Sequence, residues 1–555
     1  MADVPRNTEG THHVFSRDVN PFERSNVMRL DSGAAPLDTF AQTEPLGILA
    51  RYMTPHSLVE TYLQSSGKSI GEIPTGFLAY LANLDLVARV SPETARAIVQ
   101  ELAHQRNGVK LIASENYSSL AVQSAMANLL TDKYAEGVPG KRFYAGCESV
   151  DAIEQHAADQ ACQLFGAEHA YVQPHSGADA NLVAFWAILS ARIETPALAR
   201  FGETDPAKLV PVQWNEVRQA LGNQRLLGLD LYSGGHLSHG YRRNVSGRMF
   251  ESHSYFVDRG THLLDYAEIE RIARDVKPLI LLAGYSAYSR PVNFARMREI
   301  ADAVGAVLMV DMAHFAGLVA GKIFEGDFDP VKHAQVVTST THKTLRGPRG
   351  GLVLTTREFA EHVDKGCPLV LGGPLPHVLA AKAVAFTEAL LPSFRTYASQ
   401  IVDNSRSLSD ALIANGHEVL TGGTDNHLVL VDVGRLGLTG RQAESALREC
   451  GLTMNRNTIP FDPAGPWYTS GLRLGTPATT TLGMRAAEMQ EIGAIMATVL
   501  AATKPTPAKD GMSKAKYSIA PEAKTEALAR VSALLSAFPV YPEIDLDYLT
   551  ARMEA

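Results

Sequence analysis

The chain has 555 residues, of which 45% are hydrophobic and 20% are charged. A chain of this length exceeds what one hydrophobic core accommodates, so the sequence predicts an ordinary globular protein of two or more domains. The formal charge is 51 minus 59, or −8, which makes nucleic acid an unfavourable main partner.

The four cysteines are scattered along the chain: Cys147, Cys162, Cys367 and Cys450. They lack CxxC spacing, so they predict neither a disulfide framework nor a metal site. A reducing, cytoplasmic location is therefore expected. The N-terminus has no apolar targeting segment and no run of about 18 apolar residues follows it, so we expect no membrane partner.

Residues 1–80 are predicted to form an N-terminal extension that is partly mobile. Residues 1–45 are polar and lack an apolar period. From residue 46 the sequence indicates folded structure, and Ser91, Pro92 and Glu93 have the features of a helix start.

Strands alternate with helices in residues 81–375, which predicts a larger α/β domain with a mostly parallel sheet covered on both faces. The charged, proline-containing segment 191–224 is interpreted as a surface insertion. We predict helices at 149–165, 266–276 and 293–304, and strands at 170–173, 226–231, 279–285, 307–310 and 336–341.

The organisation changes after Gly373. Residues 376–415 are predicted to be connecting helices, and residues 416–555 a smaller C-terminal α/β domain. Within that domain we expect strands near 427–432 and 470–475, a helix near 485–500, and a polar linker near 503–512 before a final helix.

A lysine lies just beyond the predicted strand 336–341. Lys343 has Arg346 and Arg349 nearby, and their positive charge would lower the pKa of its amine and favour a nucleophile. For an arbitrary lysine a solvated loop residue is the commoner interpretation.

A second strand end favours the functional interpretation of Lys343, because strand 307–310 leads into Asp311 and His314. The C-terminal ends of parallel strands share one sheet edge, where ligands bind. A lysine that forms a Schiff base and an acid that keeps a pyridine nitrogen protonated are what pyridoxal phosphate requires.

Two further segments have candidate functions. The loop between Lys133 and Glu148 is crowded with polar and aromatic side chains, which is typical of sites, although a surface turn is the alternative. The Ser-Gly turn at Ser176 begins a helix, which suits a phosphate but is also what plain N-capping requires.

The sequence VDMAH, followed by TTHKTLRGPRGG, resembles serine hydroxymethyltransferase over roughly residues 85–540. The resemblance implies a fold type I, aspartate-aminotransferase-like large domain that binds pyridoxal 5'-phosphate. It also implies transfer of the serine hydroxymethyl carbon to tetrahydrofolate, which gives glycine and 5,10-methylenetetrahydrofolate. A homodimer with shared active sites, or a tetramer, is expected.

The resemblance assigns the cofactor site. Lys343 would hold the aldehyde, with His342 as the neighbour linked to specificity, Asp311 on the pyridine nitrogen and His236 stacked on the ring. Tyr134 and Gly373 would come from the partner subunit. The remaining cofactor residues would be Ser176, Gly177, Ala178, Ser286, His314 and Thr340.

The resemblance also assigns substrate and folate residues. Arg473, supported by Ser114 and Arg349, would bind the substrate carboxylate. Glu136 would act as acid and base with Tyr144 beside it, and burial beside Tyr134 and Tyr144 would let it hold a proton. The folate pocket would consist of Leu231, Gly235, Leu237, Asn457, Pro466 and Trp467.

One departure and two alternatives remain open at this point. The family's phosphate turn reads Ser-Gly-Ser or Ser-Gly-Thr, whereas this chain has Ala178 in the third place. Another fold type I enzyme, such as a threonine aldolase or an aminotransferase, would share the lysine, aspartate and arginine. A catalytically silent homologue is the second alternative.

Overall fold

The computed structural model describes residues 57–509 and 511–554. The polar segment 1–45, predicted to be a mobile arm, lies outside these described residues.

Three helices begin the described chain, and the last starts at Pro92 as the sequence predicted. Tyr62 and Phe77 from the first two helices are buried together with Val540 and Ile544 from the C-terminal segment. Part of the predicted N-terminal extension is thus folded onto the end of the chain. The three helices are Leu58–Ser66, Thr75–Val90 and Pro92–Arg106.

A seven-stranded sheet forms the centre of the larger part. Its five consecutive strands from Val336–Thr340 to Glu251–Tyr255 are parallel, whereas Gly351–Thr355 pairs antiparallel on both sides. The expectation of a mostly parallel sheet is confirmed. In spatial order the strands are His169–Tyr171, Gly351–Thr355, Val336–Thr340, Val307–Asp311, Ile280–Gly284, Arg225–Leu229 and Glu251–Tyr255.

Both faces of the sheet are covered by helices. Leu281 and Ala283 face one core and Ile280 and Leu282 face another, because successive side chains of a strand point to opposite sides. The surrounding helices are Glu148–Phe165, Gly177–Leu189, Thr195–Arg200, Pro211–Gly222, Tyr266–Val276, Phe294–Val304, Arg357–Asp364 and Pro376–Ala389, with shorter ones at Leu120–Ser124, Ser246–Met249, Ala316–Ala320, Pro330–His333 and Gly366–Leu369.

The stretch Gly177–Arg200 is long and apolar enough to cross a membrane by length and composition alone. Half of its most apolar window is buried in the protein. Val183 and Phe185 pack there against Ile280 and Val353 of the central sheet. The apolar character of this stretch is explained by a place in the core.

The C-terminal part has its own sheet and core. The long helix Pro392–Ala414 leads into it, and Leu428–Asp432 and Gly471–Gly475 are central strands, close to the predicted positions. The flanking strands are Glu418–Val419 and Asn455–Asn457, and the helices are Gly440–Glu449, Gly465–Tyr468, Pro477–Thr481, Ala486–Ala501, Pro521–Ala537 and Leu546–Glu554. Two short strand pairs complete the described chain: Val109–Lys110 with Leu452–Thr453, and Gly137–Val138 with Lys141–Arg142.

The predicted linker near 503–512 is wrong. Thr503–Ala508 and Gly511–Ile519 form an antiparallel hairpin whose register shifts between Pro505 and Pro507. Prolines are tolerated because each strand of a two-stranded sheet has a free edge. The side-chain amide of Gln442 donates to backbone oxygens of the hairpin, so a tertiary contact stabilises a segment whose composition resembles a linker.

Candidate active site

The two sequence-predicted strand ends are neighbours in the sheet. Val307–Asp311 pairs parallel with Val336–Thr340, and Asp311 lies opposite Thr338. Since both strands run in one direction, Asp311 and Lys343 emerge at the same sheet edge.

Asp311 is buried, and both of its carboxylate oxygens accept hydrogen bonds. Its Oδ2 accepts from Nδ2 of Asn181 at 2.8 Å and lies 3.3 Å from Nε2 of His239, and its Oδ1 accepts from the Ala313 backbone at 3.0 Å. Burial alone would raise the pKa of Asp311, but His239, His236 and Asn181 together hold that pKa below its usual value. The carboxylate therefore stays ionised and could accept a hydrogen bond from a protonated ring nitrogen.

His239 has a defined tautomer. Its Nδ1 accepts from the His236 backbone N–H at 3.3 Å, so the proton resides on Nε2, which donates to Asp311. One ring nitrogen each of His236 and His239 and one carboxylate oxygen of Asp311 lie within 4.8 Å of one another. The ring of His236 thus stands beside the Asp311 carboxylate.

Lys343 has a perturbed amine. Its Nζ donates to Oγ1 of Thr340 at 3.1 Å. Burial lowers the pKa of Lys343 to about 8, Asp311 acts against that change, and Arg473 and Arg349 act with it. Arg349 thus has the predicted electrostatic effect.

Arg346 does not have that effect. Its guanidinium lies 4.6 Å from the ring centre of Tyr397, and it is not among the charges that shift Lys343. The cation is instead used in packing the loop against the connecting helix.

His342 is held beside the same lysine. Its Nδ1 accepts from the Gly350 backbone at 3.5 Å. Burial, Lys343 and Arg349 lower the pKa of His342 to about 3, so its imidazole is neutral at physiological pH.

The Ser-Gly turn begins the helix Gly177–Leu189. Ser176 Oγ accepts from the Asp179 backbone at 3.2 Å and donates to the Asp179 carboxylate at 2.9 Å, which is the plain capping arrangement. A Cβ at Gly177 would lie 2.6 Å from the Thr340 methyl group. Only a glycine lets the helix start approach the lysine strand so closely, so Thr340 and the turn are adjacent.

Arg473 reaches the same cleft from the C-terminal part. Its Nη1 donates to the Ser286 carbonyl at 2.7 Å and its Nε donates to Asn455 Oδ1 at 3.2 Å. Burial lowers its pKa to about 10, so it stays charged. Within residues 57–509 and 511–554 it makes no ion pair with a carboxylate, so a cation with free donor capacity faces the site.

Ser286 contacts this arginine, and the segment before Ser114 lies against the end of the arginine strand. The Gly475 backbone donates to the Leu111 carbonyl at 2.9 Å, and a Cβ at Gly475 would lie 2.5 Å from Cα of Ala113, so this segment crosses the end of the Arg473 strand. Ser286 Oγ donates to the Gly235 carbonyl at 2.8 Å, which joins the His236 loop to the arginine.

His314 is buried against a second histidine. Its Nδ1 lies 3.3 Å from Nε2 of His427, and the two rings stack with centres 5.6 Å apart. Burial and the charges of Lys343 and Arg473 lower the pKa of both rings, that of His427 to about 3.

The loop with Glu136 forms a separate group. Tyr144 donates to Glu136 at 3.2 Å, Tyr134 and Tyr144 meet edge to face at 5.1 Å, and Gly373 lies against Tyr134. Tyr134 and Tyr144 are 60% and 47% exposed. Glu136 itself is half-buried, so one chain supplies part of the burial predicted beside the two tyrosines.

The six folate candidates fall into three places. Leu231, Gly235 and Leu237 share the His236 loop, and Asn457 lies two residues from Asn455 on the strand beside Arg473. Trp467, next to Pro466, is 65% exposed with the Arg441 guanidinium 5.7 Å from its ring centre, so it stands on the surface of the C-terminal part.

Sequence reasoning missed three polar residues of the site, Asn181, His239 and His427, and also the buried Lys382 next to it. Asn181 is a buried amide in an otherwise apolar helix, and this was a detectable signal. The other three gain significance only from partners distant in sequence.

The residues present fit pyridoxal phosphate. An amine with a lowered pKa, an ionised and buried carboxylate, the imidazole of His236 and a helix start meet at one sheet edge. This set on a mixed α/β sheet defines the class of fold type I pyridoxal phosphate enzymes.

A sequence model of serine hydroxymethyltransferase matches residues 87–198 and 215–496. The chain is 62% identical over 498 residues to serine hydroxymethyltransferase of Treponema pallidum (strain Nichols), which covers 90% of this chain and 86% of that protein. It is 57% identical over 472 residues to that of Mycolicibacterium smegmatis (strain ATCC 700084 / mc(2)155), with 85% and 96% covered.

The chain therefore belongs to the serine hydroxymethyltransferase family, whose members depend on pyridoxal phosphate and use tetrahydrofolate as co-substrate. Residues 199–214, which the family model leaves unmatched, lie inside the segment predicted as an insertion. The match disfavours both alternatives raised from the sequence.

Proposed function

We propose that this chain transfers the hydroxymethyl group of serine to tetrahydrofolate at the sheet edge that carries Asp311 and Lys343. The observation that carries the proposal is the unpaired charge of Arg473 in the described part of the chain. Its side chain is a charged, partly buried guanidinium with two neutral partners and no carboxylate among the described residues. An amino-acid carboxylate would satisfy it with a bidentate pair.

Lys343 would hold the cofactor, Asp311 would accept a hydrogen bond from the ring N–H, and His236 would cover the ring. When bound, the cofactor withdraws electrons from the substrate and stabilises negative charge at its α-carbon. The ionised state of Asp311 supports this role, because it keeps the ring nitrogen protonated. His314 and Ser286 would lie near the phenolic oxygen, and Ser176, Gly177 and the backbone of Ala178 would receive the phosphate.

Glu136 would handle the proton on the hydroxymethyl oxygen, and Tyr144 would orient it through their 3.2 Å hydrogen bond. Ser114 and Arg349 would assist Arg473 with the substrate carboxylate. Tetrahydrofolate would occupy the side formed by Leu231, Gly235, Leu237 and Asn457, and Pro466 and Trp467 are the outer candidates.

The state of assembly is proposed as a homodimer, with a tetramer as the larger possibility. The exposed pair Tyr134 and Tyr144 supports it, because two large aromatic side chains this exposed beside Gly373 are typical of an interface. A cytoplasmic location is proposed on the absence of disulfides among the four cysteines, all of which are free.

Spectra of the purified protein with glycine, taken before and after tetrahydrofolate is added, test the function. We expect a glycine-dependent absorbance change that tetrahydrofolate enhances, together with serine consumption that requires tetrahydrofolate. A threonine aldolase or an aminotransferase would respond to its own substrates without tetrahydrofolate. A silent homologue would show neither change.

A further inference from the structure

A buried lysine that has no role in the proposed reaction lies beneath the two segments that carry Ser176 and Lys343. Lys382, on the helix Pro376–Ala389, is 1% exposed. Its Nζ donates to the carbonyl oxygens of Val172, Pro174 and Gly351 at 2.5, 3.0 and 2.9 Å. Three acceptors match the three hydrogens of an ammonium group, whereas a neutral amine would leave one acceptor without a donor.

The three carbonyls belong to two different segments. Val172 and Pro174 lead into Ser176, and Gly351 ends the turn that follows Lys343. The segments also touch directly, since the Gly351 backbone donates to the Pro174 carbonyl at 2.8 Å. Three carbonyl oxygens directed at one point repel one another, so a cation at that point stabilises the contact between the segments.

The turn is coupled to the residues beside Lys343. The Thr341 backbone donates to the Gly350 carbonyl at 3.1 Å, and Thr341 Oγ1 donates to the Pro348 carbonyl at 2.6 Å. A Cβ at Gly350 would lie 2.5 Å from Cε of Lys382, so the lysine stem fills the space beneath this turn. Displacement of Lys382 would therefore change both the helix start and the lysine loop.

Nearby carboxylates support a charged amine. Burial lowers the pKa of Lys382 to about 7, whereas Glu154 and Asp179 act in the opposite direction. Asp179 is the carboxylate that accepts from Ser176 at the helix start. The ammonium thus also offsets a negative charge next to the position where a phosphate would bind.

We propose that Lys382 is a positioning residue that acts as a built-in monovalent cation and clamps the turn before Ser176 to the turn after Lys343. The consequence for cofactor affinity rests on the proposed function, which places the phosphate at Ser176. The clamp itself does not, because it is a property of the protein without cofactor.

Hydrogen exchange of the cofactor-free protein, followed by mass spectrometry, tests the clamp. Lys382→Met keeps the length of the side chain and removes its charge, so peptides covering 172–178 and 341–351 should exchange about tenfold faster or more. The matched control is Lys322→Met, because Lys322 also donates to one backbone carbonyl, that of Leu164, at 3.0 Å but lies elsewhere. Unchanged exchange in Lys382→Met at both segments would overturn the proposal.

The cation character is tested by rescue. Lys382→Ala leaves space among the three carbonyls, so its pyridoxal phosphate dissociation constant should rise about tenfold in tetramethylammonium chloride. Ammonium or potassium chloride at equal ionic strength should restore most of the affinity. An equal loss in all three salts would overturn the role of a cation, as would a dissociation constant equal to that of the unaltered protein.

If Lys382→Ala yields only unfolded protein, its refolding in ammonium chloride against tetramethylammonium chloride replaces the titration. Refolding only in ammonium supports the clamp, and equal failure in both salts overturns it. A negative spectral test with glycine and tetrahydrofolate would reject the proposed function and leave the exchange result of the cofactor-free protein intact.

Discussion

The surroundings of Asp311 and of Glu136 differ in how many of the contacts come from one chain. Asp311 is 8% exposed and has three hydrogen-bond donors from its own chain. Glu136 has one tyrosine donor, and the two tyrosines beside it are largely exposed. The difference supports the proposal that one chain arranges the residues around Asp311 by itself, whereas the proposed acid-base residue Glu136 needs a further surface to cover it.

Loss of the lysine should have the largest effect. Lys343→Ala removes the amine that would carry the cofactor, so serine turnover should fall to background. In the unaltered protein, borohydride should fix the cofactor on the peptide that contains Lys343. Peptide mass spectrometry checks this, and a label on any other lysine contradicts the assignment.

Mixing two inactive variants tests whether sites are shared. Lys343→Ala and Tyr134→Ala chains that exchange subunits should form hybrid dimers with one intact site. At random pairing half of the dimers are hybrids, so about a quarter of full activity should return. Absence of recovery after proven subunit exchange would place Tyr134 and Lys343 in one chain's site.

Glu136→Gln keeps the size of the side chain and removes its acid. Serine turnover should fall about 10² fold or more, whereas the spectrum of the bound cofactor should persist. Steady-state rates and absorbance spectra measure the two effects separately. Full activity in the variant would show that another group moves the proton.

The amine of Lys343 should combine with the cofactor at a lower pH than an ordinary lysine. Only the unprotonated amine is a nucleophile, so the rate of reconstitution of the cofactor-free protein should rise with pH through a midpoint near 8. An exposed lysine would give a midpoint near 10.4. Arg473→Gln removes a charge that lowers this pKa, so its midpoint should move upward.

The smallest effect concerns the helix start. Ala178→Ser adds a hydroxyl donor, and a hydrogen bond to a charged acceptor contributes about 1.5 to 3 kcal/mol. The cofactor dissociation constant should therefore fall about tenfold to a hundredfold, with the same substrates used. Titration of both forms decides it, and unchanged or weaker binding would mean that another group already fills that position.

A companion variant sharpens this test. Asp179→Asn removes the carboxylate that Ser176 contacts, so it should tighten phosphate binding through charge alone. If only Asp179→Asn improves binding, the absent hydroxyl at position 178 is not the limiting feature.

The sequence by itself determined the α/β architecture and the chemical pair. The strands around Asp311 and Lys343 are short apolar runs bounded by polar loops, and strand alternation placed both residues at one edge. Local patterns were sufficient because both positions follow buried strands. The prediction for the segment 503–512 was wrong for the converse reason, since its composition is polar and its pairing depends on contact with Gln442.

Only the tertiary structure decided which charges act on the site. Arg346 and Arg349 are both near Lys343 in sequence, but packing directs Arg346 to Tyr397 and brings Arg473 from 130 positions away in its place. The partners of His239, His427 and Lys382 are likewise distant in sequence. Electrostatic and hydrogen-bond energies depend on distance in space, so a linear sequence identifies the groups and the folded chain determines their partners.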